Sequence, residues 1–160
     1  MEIPEHLTIH ETNFWALNHR IDSVLPGYLI LGSRVPADEF SDLTAKALLE
    51  LGPLLAKTQA VLKSLLKPVR IYVGRYGHLA GHPVHFHVMP VYDWVERLFW
   101  SDDRYRVLDG LSAAGGMPRT DGAQLTLFIW REFCEQAARL RPEGPTVAEA
   151  IALLREGMSG

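Results

Sequence analysis

From Val84 to Met89 the chain reads Val-His-Phe-His-Val-Met. An extended strand turns that alternation into two faces, because successive side chains point to opposite sides. His85 and His87 then share one face, and Val84, Phe86 and Val88 share the other. The first face is chemical and the second is core. Four of the seven histidines fall between His78 and His87, and residues 74 to 81, with three glycines in eight positions, form the loop that leads in. Pro90 closes the strand.

The segments around this strand set its context. Phe14 to Leu17 and Tyr28 to Leu31 read as short apolar strands, and the Pro26-Gly27 turn signal between them makes a hairpin with a long connection. Leu43, Ala47, Leu48, Leu51, Leu54, Leu55, Leu62 and Leu65 recur at helical spacing, with Ser41 as N-cap and Asp42 in the first turn. Gly52-Pro53 predicts a kink or a break in that helix, since proline lacks the amide hydrogen and clashes with the preceding turn. Lys67-Pro68 ends it, and the β-branched run Val69 to Val73 gives a third strand. A long helix, a strand, a glycine loop and another strand make the fold class α+β, an antiparallel sheet with its long helix on one face.

Beyond Pro90 the pattern is helical. YDWVERLFW makes a short helix, and residues 109 to 122 make a glycine-rich loop. Asp121 with Gln124 caps a helix running to about Leu140, whose apolar stripe is Leu125, Phe128, Ile129, Phe133 and Ala137. After RPEGP a last helix covers Val147 to Arg155. At 160 residues the expectation is a single domain, residues 1–160, with a core over about 10–95 and a C-terminal helical extension over about 96–160.

Composition narrows the function classes. A formal net charge of −3 gives no general pull toward a nucleic-acid backbone or an anionic membrane, though a small anion could still meet a local cluster of histidines or arginines. Cys134 is the only cysteine, so no internal disulfide forms and zinc patterns built on paired cysteines are excluded. The N-terminus MEIPEHLTIHETNF has acids and no apolar run, and no uncharged stretch is long enough to span a bilayer. These features lead us to expect a cytoplasmic protein.

Three chemistries compete for the histidine strand. His85 and His87 could be solvent-facing residues without a role. They could hold a metal, with His82 or His78 as a third imidazole and a distant carboxylate such as Asp93 or Asp22. Or one imidazole could attack phosphorus while the second, protonated, holds the developing negative charge or protonates the leaving group. Elsewhere, His19 and Arg20 suit a solvated strand end better than a phosphate clamp, and Trp94, Phe99, Trp100 and Trp130 suit core or subunit contacts better than base stacking.

The run Val84-His85-Phe86-His87-Val88-Met89-Pro90 resembles the signature of the histidine-triad family. The upstream order resembles it too: FWALNHR, a Pro-Gly turn into YLILGS, a long helix beginning near FSDL, a strand, then the histidine strand. The resemblance spans roughly residues 10 to 95 and points to the branch of bacterial proteins like diadenosine polyphosphate hydrolases. It implies a homodimeric α+β protein that hydrolyses or transfers nucleoside monophosphate groups from dinucleoside polyphosphates or nucleoside phosphoramidates. On that pattern His85 is the nucleophile, forming a nucleotidyl-histidine, and His87 contacts the phosphate. Asn18 or Arg20 takes the position that contacts the ribose. No cofactor is required, although a divalent cation can arrive with the substrate. One departure stands out. The family's first histidine falls on Pro83, so His82, turned in at the strand start, or His78 from the loop would have to replace it. If neither does, the chain becomes a nucleotide-binding module with impaired turnover. Tyr28 also stands where several members have a histidine after Pro-Gly.

Overall fold

The computed structural model describes residues 3–76, 83–108, 122–136 and 140–160. Its centre is a five-stranded antiparallel sheet: β1 (Thr8–Glu11), β2 (Trp15–His19), β3 (Leu29–Ser33), β4 (Arg70–Gly74) and β5 (His85–Val91), in the order β1-β2-β3-β5-β4. The helices are α1 (Ala45–Leu66), α2 (Asp93–Ser101), α3 (Gly122–Trp130, continued by one π-helical turn to Glu135) and α4 (Val147–Ser159). The α+β class is as expected. Among the described residues no helix is long and apolar enough to cross a membrane.

The histidine strand lies between β3 and β4, so both of its edges are paired. Val84 O accepts from Ser33 N and Val91 O from Val69 N, each at 2.8 Å. Even-numbered residues of β5 therefore turn their main-chain groups toward β3, and odd-numbered ones toward β4. This explains why Pro90 continues the strand rather than closing it. Its missing N–H faces the side where β3 has already ended at the Leu29–Val88 pair.

The sheet is buried on both faces. Leu17, Leu29, Leu31, Val84, Phe86 and Val88 pack with Leu54 and Leu62 of α1 and Ile151 and Leu154 of α4. On the opposite face Met89 and Val91 join Leu25, Tyr28, Trp94, Phe99, Phe128 and Phe133. The histidine face is thus chemical only around His85 and His87, and from Met89 onward it is core. The C-terminal helices divide between the two layers.

Several boundaries differ from the sequence reading. Thr44, not Ser41, caps α1, its hydroxyl accepting from Ala47 N at 3.2 Å. Ser41 belongs to a separate 3-10 turn (Phe40–Asp42), in which the Asp42 carboxylate reaches back to Glu39 N. Pro53 does not split α1, which runs unbroken through it. Pro53 lies on the exposed side, where the Leu49 carbonyl that loses its donor can meet water. The first strand pair also includes a member that was missed: β1 is polar, with only Ile9 buried. Finally, α3 ends at Glu135 rather than about Leu140, while Asp121 and Ala137 lie outside the described residues.

Candidate active site

Register brings the candidate residues into two rows across the sheet. Ala16, Gly32 and His85 are partners on β2, β3 and β5, and Asn18, Ile30 and His87 are partners one step along. Ala16 and Gly32 keep the floor of the first row low. Above it opens a cavity of about 750 Å³ lined by Asn18, Arg20, Gly32, Pro83 and His85. His82 and His78 lie outside the described residues.

His85 is half-buried, and its Nδ1 lies 3.0 Å from Pro83 O. A carbonyl only accepts, so Nδ1 carries the proton and donates. Nε2 is left with its lone pair. The residue that replaces the expected first histidine therefore orients the nucleophile candidate through its main chain.

His87 is 9 % exposed, with its ring centroid 5.2 Å from that of His85. Tyr28 Oη is 3.0 Å from His87 Nδ1, Arg20 Nη1 is 3.1 Å from Tyr28 Oη, and Arg20 Nη1 also lies 3.4 Å from His87 Nδ1. Arginine can only donate, so Tyr28 accepts from Arg20 and donates its own hydroxyl hydrogen bond to Nδ1, which is the acceptor. The proton of His87 is thereby placed on Nε2. Burial first, then the Arg20 charge and His85, lowers the His87 pKa to about 4. This corrects the expectation of a protonated second imidazole: His87 enters neutral, a hydrogen-bond donor at Nε2, and the positive charge belongs to Arg20.

Arg20 is held where that charge is useful. Asp22 takes its Nη2–H at 2.9 Å and its Nε–H on the other oxygen, a bidentate pair. Burial opposes the guanidinium charge, but the Asp22 pair outweighs it and holds its pKa above the ordinary value. The Arg20 hydrogen bonds in turn pull the Asp22 carboxyl below its usual range. Burial pushes the Tyr28 phenol up to about 12, so it stays a donor at neutral pH.

The connection carrying Arg20 is fixed at both ends. Arg20 N donates to Tyr28 O at 2.9 Å, and Gly27 turns the chain with φ 77° against Leu66, so close that a Cβ there would meet Leu66 Cδ1 at 2.7 Å. His19, only 1 % exposed, puts its ring nitrogens 2.9 Å from Arg20 O and 3.0 Å from Leu25 O. Burial lowers its pKa. His19 is thus a buried staple rather than a solvated strand end.

Asn18 supplies an acceptor. Its Nδ2 donates to His19 O at 2.8 Å, which fixes the amide orientation, and its Oδ1 is buried without a hydrogen-bond partner among the described residues. Among the described residues no three His, Cys, Asp or Glu side chains gather as a metal site, and Asp22 is taken by Arg20. Sequence reasoning marked Tyr28 only as a departure at a family position and Asp22 only as a distant metal ligand, and missed that they hold His87 and Arg20. The signal for both was proximity to the Pro26-Gly27 turn and Arg20.

No protein-family model matches the sequence, and no curated protein matches it. Solved structures do. The chain is similar over 97% of its length to a Hit-like protein involved in cell-cycle regulation from Bartonella henselae, covering 88% of that chain at 14% identity with a TM-score of 0.53. It is similar over 58% of its length to the diadenosine triphosphate hydrolase of Plasmodium falciparum, covering 66% of that chain at 17% identity with a TM-score of 0.51. Over 98% of its length it is similar to a uridylyltransferase, but it spans only 42% of that chain, at 14% identity with a TM-score of 0.55. At these identities the likeness is one of fold, and the sheet and its helices have the histidine-triad α+β architecture.

Proposed function

We propose that this chain is a nucleotide hydrolase or nucleotidyl transferase that works at the α-phosphate of dinucleoside polyphosphates or nucleoside phosphoramidates. The observation that carries the reading is the His85 ring, its Nδ1–H fixed on Pro83 O and its Nε2 lone pair left beside a cavity that Arg20 lines. In the first step Nε2 forms a bond to phosphorus as the bond to the leaving group breaks, giving a nucleotidyl-histidine. His87 Nε2–H and the Arg20 guanidinium hold the phosphoryl oxygens. In the second step water attacks phosphorus, the N–P bond breaks with its electron pair returning to Nε2, and the attacking water gives up a proton to solvent. Asn18 Oδ1 accepts from a ribose hydroxyl. His82 is assigned leaving-group protonation, which an amine needs more than a polyphosphate does. The active form is a cytoplasmic homodimer, the divalent cation being one that the substrate carries.

The proposal is tested by single-turnover cleavage of adenosine phosphoramidate and diadenosine tetraphosphate, with and without chelator. Trapped nucleotidyl-protein in the parent, absent in His85→Ala, is expected, and His82→Ala should slow the phosphoramidate more than the polyphosphate. Turnover that persists in His85→Ala refutes the covalent route. The second reading, a nucleotide-binding module without turnover, is favoured by Pro83 at the first triad position, and nucleotide binding without cleavage would select it.

A further inference from the structure

The row that holds His85 does not end at Gly32. It continues through Ala16 to Glu11 on the edge strand β1, and the neighbouring row continues from Asn18 to Thr8. Glu11, Thr8, Ala16, Asn18, Gly32 and His85 all line the same cavity. Glu11 is therefore three strands from His85. At about 4.8 Å per strand the main chains are roughly 14 Å apart, a span that the two side chains and a purine nucleoside monophosphate between them can fill.

The far end carries a specific donor and acceptor pattern. Glu11 faces Arg34 at 3.9 Å, and Arg34 is anchored by donating from Nη1 to Thr12 O. Leu7 and Ile21 supply apolar wall in the same cavity. The end of the trough away from the histidines thus combines a carboxylate and a guanidinium. Neither charge is used by the phosphate chemistry.

Resting on the nucleotide reading above, we propose that Glu11, with Arg34, reads the edge of the base and selects guanine. Guanine presents two adjacent donors, N1–H and the 2-amino group, which a carboxylate can accept side by side, and its O6 accepts from Arg34. Adenine offers one amino donor flanked by the N1 and N7 lone pairs, which a carboxylate repels. Pyrimidines are too short to fill the trough from His85 to Glu11. Glu11 is a specificity residue and takes no part in bond making.

The test is equilibrium binding of GMP, IMP, AMP and UMP to the full chain by titration calorimetry, in the parent and in Glu11→Gln. GMP is expected to bind at least tenfold tighter than AMP, with IMP, which lacks the 2-amino group, in between. Glu11→Gln should bring GMP down to the IMP level. The expected loss is about 10- to 100-fold, the scale of hydrogen bonds to a charged group. Equal affinity for all four in the parent, or a guanine preference that survives Glu11→Gln, overturns the assignment. Because binding is read without turnover, the two proposals fail separately. Equal affinities with phosphoramidate cleavage intact sink only base selection, whereas a Glu11-dependent preference for GMP without cleavage sinks only the enzymatic reading.

Discussion

Acidification offers a direct measure of how tightly His87 is held. Its pKa falls from 6.5 to about 4 in the folded chain, chiefly because the ring is buried and then because Arg20 and His85 stand near it. The unfolded chain therefore binds the His87 proton at a higher pH than the folded one. Stability from this group is fully present above about pH 6.5 and is lost as pH falls toward 4, below which both states are protonated. A depression of that size corresponds to about 3 kcal/mol, of which roughly 2 to 3 kcal/mol should disappear between pH 7 and 4.5. The assay is urea unfolding of the parent and His87→Gln at both pH values. The difference of differences isolates His87 from carboxylates that titrate in the same window, Asp22 among them. NMR titration of the His87 ring in the parent gives the same quantity without relying on the variant. A parent and variant with equal acid sensitivity, together with a His87 ring that titrates near its ordinary value, would refute the description of a neutral ring under Tyr28 and Arg20.

Two other substitutions probe the frame of the site. Tyr28→Phe removes the hydroxyl between Arg20 and His87 and leaves Nδ1 only the longer 3.4 Å approach of Arg20 Nη1. Single-turnover cleavage should slow about tenfold, and the ring should give mixed Nδ1–H and Nε2–H signals in 15N spectra, about 1 kcal/mol of hydrogen bonding being lost. An unchanged rate with a single tautomer counts against the relay. Pro53→Ala should stabilise the chain, since it restores a helical hydrogen bond at an exposed interior position of α1. A gain of about 2 kcal/mol, less a small entropic offset in the unfolded chain, would raise Tm by about 4–8 °C. A fall in Tm would mean that the proline conformation is required there.

The alternation at Val84 to Met89 was enough to place β5 and to put both histidines on one face, because strand geometry admits no other arrangement of those side chains. Pro26-Gly27 was enough to announce the β2–β3 hairpin, and Gly27 does take the left-handed turn. What stayed hidden has physical reasons. β1 is a polar edge strand, and its pattern of one buried residue in four carries little signal. The second core was hidden because Met89 and Val91 lie beyond the histidines on the same face, where the helices that cover them come much later in the chain. The protonation state of His87 was misread because a sequence does not show that Tyr28, distant along the chain, would donate to it, or that burial would outweigh the neighbouring carboxylate. Arg20 could be picked out as a candidate, but its partner Asp22 could be seen only as a possible distant metal ligand. Pro53 predicted a break that exposure made tolerable.

The connection that carries Arg20 also leans on a part of the chain that never meets the cavity. Val24 N donates to Phe133 O at 2.9 Å, and Leu25 and Tyr28 pack among Phe128, Ile129 and Phe133. The helices after residue 95 therefore take part in holding the connection that carries Arg20. Cutting the chain after β5 would strip Tyr28 of its support and free Arg20 along with it. A side chain as remote as Phe128 thus helps set, through the packing of α3 on Leu25 and Tyr28, how stiffly a guanidinium is aimed.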